Sequence, residues 1–185
     1  MAGEADRFRT VAAGFTERVE NVPEGGWEMD APCDDWVARD VVRHLVEWVP
    51  WFMQEGTGRE LEPVPSVDDD PVGAWTSLRD QLQARLDEPD AGAQMFTSEM
   101  FGGDIPFPVA VERFVTGDVL VHTWDLARAC GLDETIDAEF ARTMYEGMKP
   151  MEEMLVQSGH FKPSVDVPAD ADDQTRLIAF TGRQL

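Results

Sequence analysis

Apolar residues recur at steps of three and four along most of the chain, the signature of helices with one buried face. Phe8, Val11, Ala12, Phe15, Val19 and Val22 form the first such stripe and predict a helix over 5–22, ended by Pro23 with Gly25 and Gly26. Residues 27–36 break the period and read as a loop that Trp27 and Trp36 pin to the body. The pattern resumes over 37–54, where Val41, His44, Leu45, Trp48 and Phe52 share one stripe and His44 therefore points inward. Pro50 is expected to kink or loosen the end of that helix, because it has no N–H for the carbonyl one turn back.

The stretch 56–70, with Pro63 and Pro65, is too long for a tight helical hairpin and reads as a crossover. Asp70 and Pro71 make a cap and first-turn pair for a third helix over 71–88, carried by Trp75, Leu78, Leu82 and Leu86. Gly102, Gly103 and Asp104 mark a turn between mixed apolar runs, so 94–105 is a small hairpin or an ordered lid. A fourth helix is predicted over 108–130, stopping at Gly131, and a fifth over 138–156 from Asp137. After an extended piece at 163–168, Asp172 or Asp173 caps a last helix through Phe180. Four long helices with one crossover predict an all-α four-helix bundle with additional C-terminal helices, built as one domain over 1–185.

Composition changes this picture in two ways. With 37 acidic against 15 basic residues the formal charge is −22, which repels phosphate backbones, and no local basic patch opposes it. No run of 18 uncharged apolar residues and no basic-then-apolar leader occurs, so the expected location is the cytoplasm, away from membranes and nucleic acid. Cys33 and Cys130 are too far apart in sequence for a zinc knuckle or redox dithiol. Cys33 precedes Asp34 and Asp35, and Cys130 lies at the negative end of a helix, settings that raise a thiol pKa and argue against a nucleophile.

Candidate chemistry comes from the three histidines. Asp118 and His122 are four apart on the fourth predicted helix, hence on one face, and can converge on a single ion. His44 is the inward histidine of the second helix, and His160 reads as a surface residue. His44, Asp118 and His122 together would supply two imidazoles and one carboxylate, a donor set for Zn²⁺ first, with Ni²⁺, Fe²⁺ or Mn²⁺ as alternatives. Three protein ligands leave positions open, which is a catalytic arrangement. There is no Gly-rich phosphate loop, Gly-x-Ser-x-Gly elbow or His-Glu-x-x-His pair.

The stretches 31–46 (with Cys33, Trp36, Arg39 and His44), 118–129 (with Asp118, His122, Trp124, Asp125 and Arg128) and 167–179 together resemble the actinobacterial metal-binding branch of the DinB-like superfamily. That branch is related to the N-terminal domain of mycothiol-dependent maleylpyruvate isomerase, and the likeness runs nearly end to end. It implies a DinB-like four-helix bundle with a metal held by a histidine on helix two and a later pair four apart, the positions of His44, Asp118 and His122. The sequence departs from that pattern at Asp118, where DinB proteins commonly have histidine and the isomerase has glutamate; the shorter side chain bears on which metal is held. The isomerase's separate C-terminal domain has no counterpart of that size here.

The resemblance implies a metal-dependent thiol S-transferase or isomerase, with mycothiol as the low-molecular-weight thiol and a small electrophile as substrate. Arg39 and Arg128 are the basic residues nearest the ligands in sequence and could hold a substrate carboxylate, or Arg128 could pair with Asp125 or Asp40 and tie helices together. A non-catalytic metal-binding or stress-related interaction protein and a metal-dependent hydrolase remain alternatives, as do monomer and homodimer.

Overall fold

The apolar stripes fold as helices and turn toward one another. A computed structural model describes residues 3–159 and 161–185; His160 lies outside the described residues. The long helices are α1 (Glu4–Glu20), α2 (Ala38–Thr57), α3 (Pro71–Leu86) and α5 (Gly117–Cys130). A short α4 (Phe107–Ala110) and a π-helical stretch, Val111–Thr116, run directly into α5, so the predicted fourth helix is continuous but changes its winding midway. The remaining helices are α6 (Ala138–Met148), α7 (Glu152–Gln157) and α8 (Asp173–Phe180).

α1 packs on α3 and α5, and α2 packs on the same two, closing a four-membered ring; α6 packs on α8 beside it. Side-chain pairs show the helix directions. Arg9 near the start of α1 meets Asp87 just past α3 at 2.8 Å, so those helices are antiparallel. Arg43 near the start of α2 meets Asp68 just before α3 at 2.7 Å, and Arg59 just past α2 meets Glu88 just past α3 at 2.7 Å. α2 and α3 are therefore parallel, and residues 58–70 return along the length of the bundle as the predicted crossover. The core is a continuous cluster in which Phe8, Phe15, Leu45, Phe52, Trp75, Leu78, Leu82, Trp124 and Leu126 are fully buried. Trp75 also donates its indole N–H to Thr16 at 2.8 Å, so its polar atom is satisfied inside that core.

Two predicted boundaries move, one in spite of a proline and one because of another. α2 does not end near 54: it passes through Pro50 and continues to Thr57, stopping at Gly58 with φ +66. Burial of Phe52 and Met53 beyond the proline holds the final turns in place. The fifth predicted helix, in contrast, breaks into a tight turn at Lys149–Met151 around Pro150, where the flanking residues are exposed and nothing offsets the lost backbone bond.

The segment over 94–105 is a hairpin: β1 (Met95–Ser98) pairs antiparallel with β2 (Gly103–Pro106), Phe96 opposite Ile105. It is anchored rather than free, since Phe96 is fully buried and stacks on Phe52 with ring centroids 4.3 Å apart. Gly56 makes this possible, because a Cβ there would stand 2.0 Å from the Phe96 ring. No helix among the described residues is long and apolar enough to cross a membrane.

Candidate metal centre

His44 and Trp48 are one turn apart on α2, and Asp118 and His122 one turn apart on the facing α5. Nε2 of His44 lies 3.0 Å from Asp118 Oδ2, and Nε2 of His122 lies 3.4 Å from Asp118 Oδ1. The two imidazoles approach edge to face with centroids 4.9 Å apart. The structure therefore brings His44, Asp118 and His122 together across the bundle, although 74 positions separate His44 from Asp118. The π-helical winding ends just before Gly117, and such windings change which residues of the following helix face inward.

The donor atoms of these three residues lie within 4.8 Å of one another. Donors around a tetrahedral ion with bonds of about 2.0–2.1 Å are about 3.3 Å apart, so the set fits one ion after small side-chain shifts. A second group, Cys33, His122 and Asp125, is equally compact. It fits less well, because both oxygens of Asp125 are taken by Arg183, whose Nε and Nη2 each donate at 2.7 Å.

Asp125 and Arg183 form the layer behind the first group. His122 donates Nδ1–H to Asp125 Oδ2 at 2.8 Å, which leaves Nε2 facing Asp118 and His44. This carboxylate–histidine pairing is the arrangement that orients metal-ligating imidazoles. Asp125 is fully buried and Arg183 is partly buried, with 13% of its side chain exposed. Burial opposes a charged imidazole at His122, yet the carboxylates of Asp118 and Asp125 outweigh it and push its pKa up to about 9. Burial likewise works against the anionic forms of Asp118 and Asp125. For Asp118 the two histidines win, and for Asp125 His122 with Arg183, so both stay below the ordinary carboxylate range.

Three further residues complete the surroundings. Trp48 donates its indole N–H to Asp118 Oδ2 at 2.9 Å, and Trp36 stacks on the His122 ring with centroids 5.8 Å apart. Cys33 places Sγ 3.6 Å from Asp125 Oδ2, held there by a tight loop whose Asp35 takes a positive φ of 62. The loop folds back over α5 and so brings this thiol beside the site. Burial first, then Asp125, push the Cys33 thiol up to about 12, so it is no nucleophile, though its neighbours in sequence are not the cause.

The two arginines singled out from the sequence are engaged elsewhere. Arg39 donates to Glu28 and to the Asp68 carbonyl, tying α2 to the loops at its start. Arg128 pairs with Glu134 at 2.7 Å and lies over the Trp124 ring at 4.6 Å, so its partner is neither Asp125 nor Asp40. It also lines an open cleft of about 380 Å³ with Pro32, Asp34, Lys162 and Gln184. Sequence reasoning did not find Arg183 at the site. It did not place Asp125 there either, although the spacing of three from His122 is a signal that could have found it, whereas Arg183 arrives from a distant segment.

Helix bundles can build ion sites from side chains on facing helices, and His44, Asp118 and His122 form one group that could hold an ion. The chain belongs to the family of the mycothiol maleylpyruvate isomerase N-terminal domain, whose family model matches residues 8–127. It is also 28% identical over 176 residues, 91% of either chain, to an uncharacterized protein of Mycobacterium tuberculosis present in two strains. No solved structure gives a significant match.

Proposed function

We propose that the protein holds one divalent cation, Zn²⁺ in the first place, on His44 Nε2, Asp118 and His122 Nε2, and uses it as a mycothiol-dependent S-transferase or isomerase on a small electrophile. The single observation that carries this reading is the approach of both Nε2 atoms to the one carboxylate, at 3.0 and 3.4 Å, with Asp125 behind His122. A cation there would supply Lewis-acid chemistry, lowering the pKa of a bound thiol and polarising an oxygen of the electrophile. The residues of the chain do the rest. Asp125 keeps His122 in the tautomer with Nε2 free, Trp48 fixes the rotation of Asp118, and Trp36 packs against both imidazoles. Arg128 lines the open cleft but would have to leave Glu134 to hold a substrate carboxylate, and Arg39 is tied to Glu28 and Asp68.

Membership of a mycothiol-related family and the high Cys33 pKa both support a thiol that comes from outside the chain. The test is metal analysis of freshly purified protein beside a turnover assay with mycothiol and a panel of electrophiles. About one equivalent of divalent metal is expected in the wild type, and its loss in His122→Ala with the helical circular dichroism retained, because the core is carried by Leu, Val, Phe and Trp. A His122→Ala protein that keeps its metal would sink the assignment, and turnover without any thiol would make the protein a hydrolase.

A further inference from the structure

Arg183 enters the site from the segment after α8, beyond the stretch matched by the family model. Its approach is built into the backbone. The last turn of α8 closes through Gly182 N–H to Ala179 O at 2.9 Å, and Gly182 takes φ +82, which turns the next residue back toward α5. A Cβ on Gly182 would stand 2.4 Å from Lys162 Cβ and 2.9 Å from the Lys162 carbonyl, so the chain passes there with no room to spare. The guanidinium then meets Asp125 as a planar fork, Nε on Oδ1 and Nη2 on Oδ2, both at 2.7 Å. A fork of two parallel bonds fixes the plane of a carboxylate as well as its position. The oxygen that receives Nη2 is the one that accepts His122 Nδ1–H.

Resting on the metal reading above, we infer that Arg183 is a positioning residue of the metal centre. By gripping both oxygens of Asp125 it holds the His122 ring with Nε2 aimed at Asp118 and His44, so the segment after α8 is a working part of the site. The chain of contacts runs Arg183, Asp125, His122, and each link is a direct hydrogen bond with no water or flexible side chain between. An arginine that only tied this segment to the body would have no need to share its acceptor with a ligand histidine.

The experiment measures Zn²⁺ affinity of the full chain by competition with a chromophoric chelator, with circular dichroism as a fold control. Arg183→Gln is expected to weaken binding about 10- to 100-fold, the usual effect of losing a partner behind a ligand, and Arg183→Lys to fall between it and the wild type. In the Asp125→Asn background the same Arg183→Gln change is expected to alter affinity less than about threefold, since the route through Asp125 is already broken. Unchanged affinity in a folded Arg183→Gln protein overturns the inference, and so does an equal loss in both backgrounds. If Arg183→Gln does not fold, Arg183→Lys decides: a loss of about threefold or more supports the role, and wild-type affinity overturns it. Failure of the wild type to bind Zn²⁺ would overturn the metal reading itself together with this inference, whereas tight wild-type binding beside an unaffected variant overturns this inference alone.

Discussion

Asp118 carries its carboxylate on a single methylene, and both of its oxygens already have partners: His44 and Trp48 on Oδ2, His122 on Oδ1. In the metal-free protein this makes His122 a cation between two carboxylates. The raised His122 pKa has a definite sign. Its contribution to stability is complete below the ordinary value of 6.5 and is lost as pH climbs through about 9. The metal-free protein is therefore expected to lose stability between about pH 7 and pH 9.5, read as a falling denaturation midpoint. Metal uptake displaces the same proton, so apparent Zn²⁺ affinity should rise about tenfold per pH unit up to about pH 9; a flat profile would show that His122 is not a ligand. Asp118 and Asp125 act in the opposite sense, stabilising above the ordinary carboxylate value and ceasing to do so as acid protonates them. Burial and Asp125 push the Cys33 thiol up to about 12, so it stays protonated near neutral pH. A Cys33→Ser, Cys130→Ser variant is accordingly expected to keep thiol-dependent turnover, and its loss with metal content intact would show a protein cysteine taking part.

At the scale of elements, the hairpin of β1 and β2 is held by one close approach. Gly56 costs helix propensity in the last turn of α2, so an alanine there would ordinarily stabilise by up to about 1 kcal/mol. Here the added methyl meets the Phe96 ring at 2.0 Å, and Phe96 is itself locked against Phe52 and Phe101. Gly56→Ala is expected to destabilise by about 1–3 kcal/mol, the range for overpacking, measured by denaturant unfolding. A neutral or stabilising result would mean the hairpin swings away freely and behaves as a lid. The helices themselves were legible because each has a 3.6-residue stripe and a chemical stop. Asp70, Asp137 and Asp172 accept the backbone N–H three residues on, as capping residues do. The π-helical winding before α5 was not legible, because the apolar period of the sequence runs on through it without a break.

For the whole molecule, a formal charge of −22 on 185 residues means that folding gathers like charges. Ion pairs relieve this locally, as at Arg59 with Glu88 and Arg43 with Asp68, but the surplus of acid remains. Added salt screens that repulsion, so the melting temperature should rise between about 10 mM and 300 mM NaCl. A melting temperature that falls over this range would mean that the surface ion pairs outweigh the net repulsion.

Local rules along the chain determined the helices, their caps, the crossover and the two faces that carry His44 and the Asp118–His122 pair, because apolar period, proline, glycine and capping residues act within a few positions. Even the meeting of those faces was legible, since an inward residue of one bundle helix has little else to face. What only the tertiary structure decided was the layer around them. The spacing of Asp125 from His122 is a local signal, but Arg183 reaches Asp125 from 58 positions away through a left-handed turn at Gly182, and Cys33 arrives from 92 positions away on a loop. Arg39 and Arg128 were near in sequence, yet they found nearer acids in Glu28 and Glu134. A charged side chain takes the partner that folding delivers to its tip, and which acid that is depends on the paths of loops whose sequences carry no period.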